Sequence, residues 1–117
     1  MPAISISDPA FLTCAGNDYG YEYTFSRQLK GLGNSGDVLV AISTSGESKN
    51  VIKAAEVAKE MNIYTIAFTG EDISSLSEIV DLSINVPSQE TNHIQEMHIA
   101  IGQLICGAIE DKFFKKN

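Results

Sequence analysis

The sequence lacks the features that mark several common classes of protein. No apolar stretch approaches the roughly 18 residues that a membrane-spanning helix needs, and no basic segment leads into a short apolar core of the secretory kind. Lysine and arginine number 8 against 15 aspartates and glutamates, giving a net charge of -7. An acidic balance disfavours nonspecific binding to nucleic acid or to an anionic membrane. We therefore expect a cytoplasmic protein with neither nucleic acid nor membrane as a partner.

Cysteine is also scarce. The two cysteines, Cys14 and Cys106, lie far apart, and neither belongs to a Cys-x-x-Cys motif. Because both have apolar neighbours, we expect them to be reduced core residues. The 117 residues are 44% hydrophobic and 20% charged, which is typical of one folded domain spanning residues 1–117.

The hydrophobic pattern predicts an α/β fold, an open parallel sheet with helices on both faces. The predicted strands are residues 3–6, 37–42, 63–68 and 82–86. The predicted helices are residues 21–32, 48–61 and 91–113, with a helical turn at 8–12 and a short helical or irregular segment at 74–80. Loops are expected at residues 16–20 and 43–47, and a turn at 69–72.

Two features indicate that the fold is completed by something else. The first predicted strand begins at residue 3 with no helix before it, and the predicted helix at 91–113 has more apolar surface than one small sheet needs. We expect another segment or another subunit to cover these surfaces.

The segment at residues 43–48, STSGES, carries the strongest functional signal. It joins a buried strand to a helix, the position where open α/β sheets bind ligands. Free N–H groups and the helix dipole favour an anion there. Ser43, Thr44, Ser45 and Ser48 add hydroxyl donors, and Gly46 permits a close approach of the backbone. The alternative is that Ser45 or Ser48 only caps the helix.

This segment resembles the phosphate loop of sugar isomerase (SIS) domains. Three further segments are similar to one branch of that family, the bacterial phosphoheptose isomerases: AGNDYG at 15–20, SRQ at 26–28 and IQEMH at 94–98. The resemblance runs along essentially the whole chain. It implies a flavodoxin-like SIS fold that assembles into a homotetramer.

The resemblance also implies a reaction and a set of site residues. The family interconverts sedoheptulose 7-phosphate and D-glycero-D-manno-heptose 7-phosphate through an enediol, for lipopolysaccharide or capsule heptose. By resemblance, the substrate phosphate would be bound by Ser43, Thr44, Ser45 and Ser48. The sugar hydroxyls would contact Asn17 and Asp18, and Gln95 would face the reacting end of the substrate and ligate zinc where zinc is bound.

The chain departs from the family in two respects. The family's N-terminal helices and first strand, with its catalytic base and metal ligands, have no counterpart here, so we expect this chain to be the rear part of a longer protein. Gln103 stands where the family has a histidine that ligates metal and transfers protons. Glutamine does not titrate near neutral pH. The resemblance thus leaves Gln95 and Gln103 at the catalytic positions, with Gln95 a weak zinc ligand.

The remaining polar residues of the last predicted helix can each be explained by a structural role instead of a functional one. We expect His98 to pack or hydrogen-bond within the helix interface, and His93 to be exposed or to reach the sugar. Their spacing is not that of a zinc-binding HExxH helix. Glu96 would complement the helix dipole or act as a base.

Two other functions fit the same sequence. One is a non-catalytic SIS-fold binding protein resembling the DnaA initiator-associating protein, which also lacks the helix histidine. The other is a regulatory module that senses a phosphosugar. The intact heptose-contacting segments favour the isomerase.

Overall fold

The computed structural model describes residues 2–114, which form a three-stranded sheet, five α-helices and one 3-10 turn. In chain order the elements are α1 (Pro9–Tyr19), the 3-10 turn (Tyr21–Tyr23), α2 (Thr24–Leu32), β1 (Val38–Ile42), α3 (Lys49–Glu60), β2 (Tyr64–Thr69), α4 (Ser75–Ile79), β3 (Leu82–Asn85) and α5 (Thr91–Phe113). None of the helices in this part of the chain is long and apolar enough to cross a membrane.

The sheet is parallel and has the order β1-β2-β3. Val38 lies opposite Tyr64, and Ile66 lies opposite Leu82. Helices α3 and α4 make the crossover connections that parallel strands require. Both pack on one face of the sheet, whereas α5 lies against β2 on the other. The predicted α/β fold, an open parallel sheet with helices on both faces, is confirmed.

The core lies between the sheet and α3. Small side chains let the helix approach the strands closely, and one cluster consists of Ala41, Ala55, Ala67 and Leu76. A second cluster, nearer the amino ends of the strands, consists of Leu29, Val57, Ala58 and Ile63. Side chains alternate along a strand, so these contacts account for only one face of β1.

The opposite face of β1 has little cover in residues 2–114. Val38, Val40 and Ile42 are 58%, 48% and 54% exposed. Helix α5 covers part of the same face of the sheet at Phe68 of β2, whose ring centroid is 5.8 Å from that of His98. The surplus apolar surface expected from the sequence is therefore visible on both the sheet and the helix.

The predicted strand at residues 3–6 is absent from the sheet. A strand exists only where a neighbour pairs with its backbone, and the described sheet contains only β1, β2 and β3. The segment is instead held by a side chain, since the Gln28 Nε2 donates to the Ile6 carbonyl at 2.9 Å.

The predicted loop at residues 16–20 is mostly helical. The Asp8 side chain caps α1 by accepting from the Phe11 N–H, and the helix continues through Gly16 to Tyr19. Glycine within a helix costs only about 1 kcal/mol relative to alanine. The residue that ends the helix is Gly20, which has a φ of 102°. Asn17 and Asp18 therefore lie on a helix rather than in a loop.

The prediction that the cysteines are buried is also wrong. Cys14 and Cys106 are free thiols, but both are exposed. Apolar neighbours along the chain do not fix which side of a helix faces the core. In α1 the buried position is Ala15, and Cys106 lies on the largely uncovered part of α5.

Replacement of Leu76 tests the position of the core. Leu76 is 0% exposed, so Leu76→Ala should lower the free energy of unfolding by about 2–5 kcal/mol through lost burial and a residual cavity. Ile73→Ala is the matched control, because Ile73 lies outside β1 and α5, is 83% exposed and should lose less than about 0.5 kcal/mol. Urea denaturation measures both. Equal losses of unfolding free energy in the two variants would show that Leu76 is not part of the core.

Candidate anion-binding site

The phosphate loop, residues 43–48, leaves the carboxyl end of β1 and enters α3. Its turn is closed by the Gly46 N–H, which donates to the Ser43 carbonyl and to the Ser43 Oγ, both at 3.1 Å. Gly46 has a φ of 68°, and a Cβ there would collide with the Ser74 side chain. The position therefore requires glycine for both its conformation and its contacts.

The hydroxyl of Ser48 is not used as a helix cap. Ser48 occupies the N-cap position of α3, but its side chain makes no capping hydrogen bond. Its Oγ lies 3.0 Å from the Ser43 Oγ. The capping alternative therefore does not account for Ser48, whereas the Ser45 Oγ does accept locally, from the Glu47 N–H at 3.2 Å.

The first turn of α3 presents backbone donors. The N–H groups of Lys49 and Asn50 have no acceptor within the helix, because the first four N–H groups of any α-helix lack one. They lie at the positive end of the helix dipole, beside the hydroxyl of Ser48. This combination is suited to an anion such as a phosphate group.

Glu47 attaches the loop to α4. Its carboxylate accepts from the Ser75 N–H at 2.7 Å and from the Ser75 Oγ at 2.6 Å. Hydrogen bonds from the Ser75 hydroxyl and then the Ser75 N–H hold the pKa of the Glu47 carboxyl below its ordinary value. Glu47 is thus an ionised structural contact that fixes the outer side of the loop.

The inner side of the loop is fixed by the end of β2. The Gly70 N–H donates to the Thr44 carbonyl at 3.0 Å. A Cβ on Gly70 would lie 2.9 Å from the Ile94 Cδ1 and 3.0 Å from that same carbonyl. Glycine at position 70 therefore allows the loop and α5 to approach the end of β2 together.

These contacts form a cleft of about 460 Å³, the loop cleft. One wall is the phosphate loop, through Thr44, Ser45 and Ser48. The rest comes from Gly70, Glu71, Asp72, Ser88, Gln89, Thr91 and Ile94. The structure brings three of the four predicted phosphate ligands to one cavity, and Ser43 lies buried behind them.

The sequence pattern did not indicate the other walls as part of the site. It predicted residues 69–72 only as a turn. The available signal was their place directly after the second buried strand, since the carboxyl ends of parallel strands meet at one sheet edge. Ser88 and Gln89 follow β3 at that edge.

Asn17 and Asp18 lie away from the lining of the loop cleft. They occupy the last turn of α1, both are exposed, and the Asn17 Nδ2 donates to the Asp18 Oδ1 at 2.9 Å. The guanidinium of Arg27 lies 3.6 Å from the ring centroid of Tyr19 and holds this end of α1 to α2. Contact of Asn17 and Asp18 with the sugar stays a prediction.

Gln95 and Gln103 line a second cavity of about 620 Å³, the helix cleft, between α5 and the open sheet face. Its apolar members include Val40, Ile42, Phe68 and Ile99. Thr44 lines both clefts, so they adjoin each other at the phosphate loop. The two glutamines are eight residues apart, about 12 Å along the helix.

His98 is a structural residue, as expected. It is 5% exposed, and its Nε2 lies 3.0 Å from the Thr69 carbonyl. Because a carbonyl only accepts, Nε2 carries the proton. The Nδ1 atom is buried without a hydrogen-bond partner in residues 2–114. His93 is exposed, which is one of the two alternatives expected for it from the sequence.

The described residues do not fit a self-contained zinc centre. No group of three or more His, Cys, Asp or Glu side chains in residues 2–114 is placed to hold a metal ion. Gln95 and Gln103 offer neutral amide groups, which are weak ligands for zinc. We therefore assign no chemical step to zinc on this chain.

The fold and the loop cleft together define a class of protein: an α/β domain with a cleft suited to an anionic ligand at the carboxyl edge of its sheet. The SIS domain family model matches residues 2–70. The chain belongs to the SIS domain family, which confirms the resemblance drawn from its sequence.

Among curated proteins, the chain is 48% identical to the phosphoheptose isomerase of Akkermansia muciniphila and 49% identical to that of a Nitratiruptor species. Each match covers 97% of this chain and 61% of the relative, so the chain spans about three fifths of the length of these relatives.

Solved structures of phosphoheptose isomerases also match this chain over most of its length. The phosphoheptose isomerase of Neisseria gonorrhoeae matches with a TM-score of 0.89 and 43% identity, covering 92% of this chain and 61% of that one. The enzyme of Francisella tularensis matches with a TM-score of 0.91 and 37% identity, covering 94% and 62%.

Proposed function

We propose that this chain is the phosphosugar-binding part of a phosphoheptose isomerase, which interconverts sedoheptulose 7-phosphate and D-glycero-D-manno-heptose 7-phosphate. The observation that carries the proposal is the phosphate loop, whose hydroxyls face the loop cleft beside the free N–H groups of α3. Identity of nearly half the residues to proteins of that name over 97% of the chain supports it.

The substrate phosphate would lie at the start of α3. The hydroxyls of Thr44, Ser45 and Ser48 would donate to its oxygens, together with N–H groups of the first helical turn. Hydrogen bonds to a charged group are stronger than those between neutral groups. The sugar would then extend past Thr44, which lines both clefts, toward Gln95 in the helix cleft, whose amide can hydrogen-bond its oxygens.

Isomerisation through an enediol needs a base to remove a proton from carbon and an acid to serve the carbonyl oxygen. In the helix cleft, Gln95 and Gln103 can hydrogen-bond a substrate oxygen but cannot exchange protons near neutral pH. We propose that the base is supplied by the N-terminal segment that the family resemblance implies. Binding and turnover are therefore separable in this chain.

The assembly is proposed to be a homotetramer. The exposed apolar residues of β1 and α5 support association, because an apolar surface of this extent is unusual on a monomer. Cytoplasmic location and a role in lipopolysaccharide or capsule heptose synthesis complete the proposal. Zinc is proposed only for the longer protein, with Gln95 as a minor ligand.

A second candidate function is a non-catalytic binding protein on the same fold. It is favoured by one observation, the presence of Gln103 in the helix cleft where the family resemblance implies a histidine. Such a protein would act through its surface and would not depend on the phosphate loop.

Replacement of two loop hydroxyls tests the phosphate site. Ser45→Ala with Ser48→Ala should weaken binding of sedoheptulose 7-phosphate by about 1–3 kcal/mol, because it removes hydrogen bonds to a charged group. Titration calorimetry measures the affinity. Ser35→Ala is the matched control, since Ser35 lies in an exposed turn outside the loop cleft. Unchanged affinity in the double variant would refute the site, whereas no binding by the unsubstituted chain would favour the non-catalytic binder.

Turnover by the 117-residue chain tests the separation of binding from catalysis. We expect the chain to bind sedoheptulose 7-phosphate but to convert little or none, since the acid and the base each contribute on the order of 10²–10⁴ in rate. Joining the upstream segment should restore part of the activity, and Gln103→His should add more. Conversion by the unmodified chain at about 10 s⁻¹, the rate of a median enzyme, would show that Glu96, Asp18 or another residue is the base.

A further inference from the structure

Glu47 lies between two of the serines assigned to the phosphate, yet it lines neither the loop cleft nor the helix cleft. We propose that Glu47 is a positioning residue, whose carboxylate is bonded to the start of α4 and holds the phosphate loop in the conformation that binds phosphate. The inference rests on the proposed function and deepens it, because it names a residue outside the cleft that sets the affinity for the ligand.

A carboxylate is an unexpected group in a loop that binds an anion. If it faced the cleft, its charge would repel a phosphate group. In the structure the Glu47 carboxylate faces α4 instead, where Oε1 accepts from the Ser75 N–H at 2.7 Å and Oε2 accepts from the Ser75 Oγ at 2.6 Å. Each oxygen therefore has a donor on the same residue of α4, and charge-assisted hydrogen bonds of this kind are stronger than neutral ones.

The backbone beside Glu47 contacts the same part of α4. The Leu76 N–H donates to the Gly46 carbonyl at 3.0 Å. Gly46 also lies so close to Ser74 that a Cβ at position 46 would collide with the Ser74 side chain. Residues 46 and 47 thus form one continuous contact with residues 74–76, in which Glu47 supplies the side-chain acceptors.

The phosphate-binding hydroxyls on either side depend on the position of Glu47. The Glu47 N–H donates to the Ser45 Oγ at 3.2 Å, which uses a lone pair of that hydroxyl and leaves its proton for a ligand. Ser48 follows Glu47 directly and is the N-cap residue of α3. If residue 47 were released from α4, a phosphate would have to order the loop as it binds, and that ordering costs affinity.

Substitutions at position 47 test the inference by calorimetry, with sedoheptulose 7-phosphate as the ligand of the intact chain. Glu47→Ala should weaken binding about tenfold, because the ligand must then order the loop. Glu47→Gln should stay within about threefold of the unsubstituted chain, because an amide can replace both hydrogen bonds with weaker neutral ones. Glu47→Asp is one methylene shorter, so it should lose both contacts and bind as weakly as Glu47→Ala.

Glu60→Ala is the matched control for the loss of a carboxylate. Glu60 is exposed and is the last residue of α3, at the opposite end of the helix from the phosphate loop. This variant should bind the ligand as the unsubstituted chain does.

Replacement of Ser75 tests whether Glu47 acts through α4. Ser75→Ala removes one of the two bonds and keeps the N–H, so it should weaken binding about threefold. Glu47→Ala with Ser75→Ala should weaken binding about tenfold, no more than Glu47→Ala alone, because the two side chains belong to one interaction, whereas independent effects would multiply to about thirtyfold. Circular dichroism establishes that each variant is folded, and Glu47→Asp replaces Glu47→Ala in this comparison if Glu47→Ala is not.

The outcomes separate failure of this inference from failure of the proposed function. Binding that depends on Ser45 and Ser48 but is unchanged in Glu47→Ala and Glu47→Asp overturns the inference alone. Tighter binding by Glu47→Ala also overturns it, since the carboxylate would then act on the phosphate by repulsion, and so does a thirtyfold loss in the double variant. Absence of binding by the unsubstituted chain overturns the phosphosugar function and the inference with it.

Discussion

The end of β2 is the point on which the rest of the site depends. The Thr69 carbonyl accepts from the Val86 N–H, at the end of β3, and from the ring of His98, both at 3.0 Å. The next residue, Gly70, donates to the phosphate loop. One peptide unit thus fixes the loop, the third strand and α5 relative to one another. A buried hydrogen-bond network of this kind is costly to disrupt, because any partner left behind remains unsatisfied.

The sequence predicted best those elements whose signal is local. The apolar run of β1, the helical spacing of α3 and the span of α5 are confirmed, and the hydroxyl-rich loop lies where strand and helix meet. The Asp8 cap of α1 also has a local signal, because Asp8 directly precedes Pro9, the first residue of the helix. Each of these depends on residues within one or two turns of the chain.

What could not be predicted depends on distant partners. Whether residues 3–6 form a strand is decided by a neighbouring strand, and the described sheet gives them none. The walls of the loop cleft at Glu71 and Gln89 come from turns after different strands, so only the strand order brings them together. Cys14 is exposed because α1 turns its Ala15 side toward the core. The residues next to Cys14 in the sequence do not determine which side of the helix that is.

The central claim is that the phosphate loop and the first turn of α3 bind phosphate in an acidic protein through local donors rather than net charge. Amide nitrogen–proton correlation spectra, recorded while sedoheptulose 7-phosphate is added, test it most directly. The account predicts that the amide signals of residues 44–50 shift most and move downfield, as N–H groups that hydrogen-bond to an anion do. Shifts confined to α1 or to α5, with residues 44–50 unchanged, would contradict it.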